Sequence, residues 1–195
     1  MRRETTAAAL IILATALPEA ASPQATGTPT FFAPTRGFAS WELGVSFSRS
    51  GDATGLEGRY GFALHRADLA LRAGYVDPGP GDGSFGAGIE GRFPVLGRSA
   101  SFPLDGALIL GVGRRFASGG GQTYVPLGLS LGRRLRLDRE LHLTPYLQPT
   151  VIFADDALLT LGLGVDLGIG DIPDIRVAWG FGDLDGWSVG LFWPR

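Results

Sequence analysis

LLTLGLGVDLGIG, running from Leu158 to Gly170, sets how the rest of the chain is read. Leu159, Leu161, Leu163, Val165, Leu167 and Ile169 take every second place, and Thr160, Gly162, Gly164, Asp166 and Gly168 lie between them. A period of two marks a β-strand, because successive side chains point to opposite faces. Here one face is large and aliphatic. The other is nearly empty, except for one carboxylate.

The same alternation fills the chain after Arg36. It predicts ten strands, at about 37–48, 53–64, 67–76, 83–95, 103–115, 123–135, 140–154, 157–169, 174–182 and 186–193. The separators are turn chemistry, among them SRSGDA, DPGPGDG, LGRSAS, ASGGGQ and GDLDG. Connections this short join antiparallel neighbours, since a parallel pair needs a long crossover. The expected fold is all-β: a closed, antiparallel, up-and-down transmembrane barrel of ten strands, or of eight if one hairpin lies outside it.

Composition narrows the function classes. The chain has 195 residues, enough for one domain with a processed leader. A net charge of −2 argues against nucleic acid as a partner. With no cysteine, disulfides, thiolate metal sites, cysteine nucleophiles and a lipidated N-terminal cysteine are excluded. All 17 basic residues are arginine, and both Lys and Asn are missing.

The leader reads as an export signal: Arg2 and Arg3, then the apolar run Ala7–Leu17, then the small-residue stretch PEAASPQA. Residues 1–25 are therefore expected to be a signal peptide cleaved between about 16 and 25. Residues 22–35, rich in Pro, Thr and Gly, are expected to be a flexible lead-in, and 36–195 the barrel.

Which face looks inward follows from volume and chemistry. Four to six large side chains on each of ten strands would overfill a small barrel, whose interior just accommodates its side chains. The opposite parity is mostly glycine and would make a poor water-facing surface. Aromatics on the apolar parity also cluster by height. Phe47, Tyr75, Phe85, Phe153, Phe181 and Trp187 fall near one rim, and Phe62, Phe93 and Trp193 near the other. Two aromatic girdles around an aliphatic band form the membrane-barrel pattern. The alternative is a soluble exported ligand-binding barrel with the apolar face inside.

TPYLQPTV at 144–151, LGLGVDLGI at 161–169 and the closing DGWSVGLFW at 185–193 give the chain a further likeness. Over about 36–195 it resembles the small outer-membrane β-barrel proteins of Gram-negative bacteria. That resemblance implies residence in the outer membrane and contact with its lipids and lipopolysaccharide. It also implies a monomer with both ends of the barrel on the periplasmic side. The closing strand resembles the C-terminal signal read by the outer-membrane assembly machinery, although Pro194 and Arg195 follow Trp193 where the family ends on an aromatic.

The inward parity carries Glu42, Glu57, Arg59, Arg72, Glu90, Arg92, Asp105, Arg115, Arg134, Asp166 and Arg176. Acids and arginines in comparable numbers predict a cross-strand ion-pair network. Another possibility is a narrow porin-like path for small solutes. Arg114 and Arg133 fall on the lipid-facing parity near strand ends, where a long stem reaches the headgroups.

Reactive chemistry is sparse, and no catalytic residue, cofactor or metal site is expected. His65 abuts a turn. His142 and Thr144, with Asp155 and Asp156 a strand away, echo the hydroxyl-and-histidine logic of outer-membrane lipid A deacylases, but the acids belong to the far rim. SGGGQ at 118–122 lacks the Lys and the helix of a phosphate loop. Asp77, Asp82, Asp183 and Asp185 read as turn residues. The expected function is a non-enzymatic envelope barrel with a structural or membrane-integrity role, or a narrow passage. A lipid-modifying enzyme is the alternative.

Overall fold

The computed structural model describes residues 26, 28–35, 37–99, 101–118, 120–170 and 172–195. The expected signal peptide lies outside them. The strands are β1 (Trp41–Ser50), β2 (Ala53–Leu64), β3 (Ala67–Asp77), β4 (Ser84–Leu96), β5 (Asp105–Ala117), β6 (Gly120–Gly132), β7 (Leu135–Arg136), β8 (Leu141–Phe153), β9 (Ala157–Ile169), β10 (Asp174–Gly182) and β11 (Gly186–Pro194).

All pairings are antiparallel. Chain neighbours pair in sequence, and β1 pairs with β11 from Glu42↔Pro194 to Arg49↔Trp187. The two-residue β7 bonds only the start of β8, as Leu135↔Leu143 and Arg136↔His142. β7 continues β6 in the same register against β8, from Gly132↔Tyr146 to Leu135↔Leu143, so the two act as one strand and their pairing with β8 closes a barrel of ten strands. The ladder thus runs on past Gly132, through the Arg133 N–H donating to the Pro145 carbonyl at 3.2 Å, to Arg136, in line with the expected end of the sixth strand at about 135.

The β6–β8 seam is interrupted. Its partners run Val125↔Phe153 to Gly128↔Thr150, then resume at Leu131↔Leu147 and Gly132↔Tyr146. Pro126, Pro145 and Pro149 sit here, and each removes a ladder donor. The first strand begins at Trp41 rather than 37. The N–H groups of Ala39, Ser40 and Trp41 donate to the carbonyl of Arg195, tying the two ends of the barrel together.

Burial alternates along most strands; over the first nine residues of β1, exposed and buried positions take turns without a break. The apolar parity faces out: Leu71 is 52% exposed and Leu159 63%, whereas Glu57 and Arg72 are each 2% exposed. The aromatics form rim contacts on the outer face. Phe47 meets Trp187 at 5.7 Å between centroids, Phe85 stacks on Phe116 at 6.4 Å, and Tyr60 lies between Trp41 (6.3 Å) and Phe62 (6.2 Å).

Connections 51–52, 78–83, 118–119, 154–156 and 183–185 gather at one end, called here the loop rim. Connections 65–66, 97–104, 133–140 and 170–173 gather at the other, the termini rim, with the start of β1 and the end of β11. Hairpins are tight. Gly51 takes φ +56, and His65 is the one non-glycine with positive φ among the described residues.

The lead-in departs most from the sequence reading. Thr26 and 28–35 do not trail free of the barrel. Thr26, Thr28, Thr30, Phe31, Phe32 and Ala33 are buried inside it. Proline and glycine do signal non-regular backbone, but the barrel wall supplies partners that the sequence of the segment alone does not reveal.

Candidate functional site: a charged and threaded lumen

The lumen has two sides. Strands β1 to β4 with β10 carry most of the charge. Strands β5 to β9 carry Ile109, Tyr124, Ser130, Thr144, Tyr146, Gln148, Thr150 and Ile152, all buried. The segment 28–35 lies between them.

On the charged side, Arg59, Arg72, Arg92 and Arg176 each pair with at least one acid on another strand, and Arg72 and Arg176 with two. Arg59 Nη1 bonds Glu42 Oε1 at 2.6 Å, and Glu42 Oε2 faces Arg176 Nη2 at 3.6 Å. Arg176 Nε lies 3.0 Å from Asp166 Oδ1, and these two residues are direct cross-strand partners. Arg72 bridges Glu57, at 2.9 Å from Nη2, and Glu90, at 2.8 Å from Nη1. Arg92 pairs with Asp68 at 2.6 Å.

Arg59 and Arg72 stand directly opposite each other on β2 and β3. Like charges in that position repel. Their side chains turn to different carboxylates, Arg59 to Glu42 and Arg72 to Glu57 and Glu90, so each charge is neutralised locally.

The structure thus brings together Glu42, Glu57, Arg59, Arg72, Glu90, Arg92, Asp166 and Arg176. It leaves three of the sequence-read charges at the rims. Asp105 is half-buried and accepts from the Arg98 N–H at 3.1 Å. Arg115 sits at the loop-rim end of β5, opposite Gln122. Arg134 Nη2 donates to His142 Nε2 at 2.9 Å. Asp68 and Asp174 are buried and were not singled out from sequence, although both sit on inward positions.

Thr26, Thr28, Thr30 and Phe32 complete the network. Thr26 and Thr28 donate to Glu57 Oε2, the latter at 2.7 Å, and Thr30 donates to Glu57 Oε1 at 3.3 Å. Arg72 Nη2 donates in turn to the Thr30 hydroxyl. The Phe32 ring lies under Arg59 (4.5 Å) and Arg176 (4.7 Å), with Phe192 edge-on at 6.4 Å. Cations over an aromatic face in a dry site are each worth roughly 0.5–2 kcal/mol.

The empty face of β9 is where rings go. The Phe31 ring occupies the space a Cβ on Gly162 would need, Tyr146 that of Gly164 and His142 that of Gly168. Asp166 lies between the last two and answers Arg176. Phe31, Ala33, Tyr124, Tyr146, Ile152 and Ala178 form an apolar cluster with Leu184, which folds in from the 183–185 turn at the loop rim.

For hydrolytic chemistry the geometry is unfavourable. Arginine can only donate, so its contact occupies the basic nitrogen of His142. Thr144 is buried and stands opposite Asp166, while Asp155 and Asp156 lie at the far rim. The loop carboxylates serve the turns. Asp77 accepts from the Gly79 N–H (2.9 Å), Asp82 from Ser118 (2.7 Å), Asp155 from Gln122 (2.9 Å) and Asp183 from the Leu159 N–H (2.7 Å). Arg114 is exposed on the outer face, its guanidinium 5.8 Å from the centre of the Phe116 ring.

No family model matches the chain, and no curated protein matches it. Among solved structures, the chain is similar to the β domain of the Bordetella autotransporter BrkA. Identity is 20%, with 80% of this chain and 84% of that chain covered, at a TM-score of 0.49. A likeness of this size adds nothing to what the barrel's own geometry says.

Proposed function

We propose that this chain is an integral barrel of the bacterial outer membrane, non-enzymatic and structural, with its lumen closed to solutes by its own N-terminal segment and ion pairs. One observation carries the reading: the polarity of the barrel is inverted relative to a soluble protein. Leu43, Leu56, Leu71, Leu110, Leu161, Leu163, Trp179 and Leu191 are exposed, while Glu42, Glu57, Arg72 and Glu90 are almost fully buried. Monomeric soluble proteins rarely expose contiguous apolar patches beyond a few hundred Å². Here the apolar band circles the whole barrel, and a bilayer core is the solvent that suits it.

Closure follows from what fills the interior. Ten strands enclose far less space than the 16–18 of an aqueous porin, and Phe31, Phe32, Tyr146 and the arginine ladder occupy it. The deacylase alternative gains no support from His142, whose partner is a guanidinium rather than a carboxylate. A soluble ligand-binding barrel would need the apolar face inside.

Fractionation of expressing cells tests the location: the protein is expected with the outer membrane and with heat-modifiable gel mobility. Recovery from the aqueous periplasm would overturn the reading. Purified protein in planar bilayers is expected to show no steady openings. Large regular conductance would refute closure.

A further inference from the structure

The wall of the lumen grips the segment 29–35 by its main chain. Ser188 Oγ donates to the Pro29 carbonyl (2.9 Å), Tyr146 Oη to that of Phe31 (2.9 Å) and Ser130 Oγ to that of Phe32 (2.6 Å). Gln148 Oε1 accepts from the Phe32 N–H (3.1 Å). Arg92 Nη1 donates to the carbonyls of Ala33 (3.0 Å) and Thr35 (3.3 Å). These donors and acceptors come from β4, β6, β8 and β11, so the segment is held from around the circumference rather than from one side.

The backbone is turned at Thr28–Thr30, where the Thr30 N–H donates to the Thr28 carbonyl at 2.9 Å, and main-chain bonds to the wall hold it in that shape while side-chain pockets give specificity. The pockets are present. Hydroxyls at every second residue, Thr26, Thr28 and Thr30, meet Glu57 and Arg72. A hollow at Gly162 and Gly180 receives the Phe31 ring, and the Arg59 and Arg176 guanidinia cover Phe32. The segment contributes no strand to the sheet and joins the wall covalently only through its Thr35 end, at the termini rim.

We propose that the lumen is a binding site for a polypeptide segment of the pattern Thr-x-Thr-x-Thr-Phe-Phe-Ala. The chain's own residues 26–35 are its resident ligand, and the site takes the same segment in trans once the resident is cut free. The recognised chemistry is a turned backbone whose alternate hydroxyls converge on one carboxylate, followed by two aromatics.

The test uses the full chain with a protease recognition sequence inserted after Arg36, folded first and cut afterwards. In detergent micelles, which keep the measurement independent of membrane residence, the cut protein is offered labelled peptide TGTPTFFAPT (residues 26–35). Saturable uptake is expected only after cutting, with matching loss of the original segment by mass spectrometry. The peptide with both phenylalanines replaced by alanine is expected to bind about tenfold more weakly or worse. Equal uptake of a scrambled peptide would overturn the proposal. So would retention of the cut segment through washes just below the unfolding midpoint with no uptake, which would make the segment a fixed part of the core.

Discussion

Glu57 is the residue on which most of the lumen converges. It accepts from Thr26, Thr28 and Thr30 and pairs with Arg72, all inside a nearly dry interior. Removing one partner of a buried pair costs about 3–5 kcal/mol, because the other charge is left stranded. Glu57→Gln is expected to lower the unfolding free energy from urea titration by an amount in that range. Adding Arg72→Gln should cost less than the two single changes summed, which a double-mutant cycle measures. Gly164→Val places methyls in the Tyr146 ring and is expected to cost about 1–3 kcal/mol by overpacking. The same change in a Tyr146→Ala background should be milder. At this scale the sequence was half-legible. Parity alone placed Glu42, Glu57, Arg72 and Asp166 inward. Which acid answers which arginine depends on cross-strand register, and Arg59 facing Arg72 could not be read without it.

Strands were more legible than the segments joining them. In β9 a period of two fixes both faces, and its thirteen residues match one tilted crossing. The element predicts its own depth profile. Leu163→Arg, at the middle of β9 and facing out, is expected to destabilise the barrel by about 2–4 kcal/mol in lipid. Leu159→Arg, near the loop rim, should cost about 0–1 kcal/mol, since its stem reaches the headgroups. Unfolding in lipid vesicles measures both, and equal costs would contradict the depth assignment. The lead-in was illegible for a physical reason. TGTPTFFAPT has turn composition and makes no ladder. Its order comes from Glu57, Arg72, Arg92, Ser130, Tyr146, Gln148 and Ser188, residues distant in sequence. The alternate threonines and paired phenylalanines were the one available signal.

For the whole molecule, the two ends of the chain's path differ. The barrel starts and finishes at the termini rim, as an even number of strands requires. The segment before β1, however, climbs the lumen from Thr35 to Thr26, which lies against Gly86 and Glu57 towards the loop rim. A closed barrel with an apolar exterior and a charged, threaded interior is stable only if its outer face meets hydrocarbon, and the outward orientation of the β9 aliphatics is what that requires. The chain has no cysteine, which allows single spin labels to be placed without background. Labels at 159, 161, 163 and 165, compared with 160, 162, 164 and 166, would be read in lipid vesicles for collisions with membrane-dissolved oxygen and with a water-soluble nickel chelate. Oxygen accessibility is expected to alternate with a period of two and to be high at the odd positions, with the chelate excluded from 163. Chelate access at the odd positions, or loss of the alternation, would contradict the outward orientation.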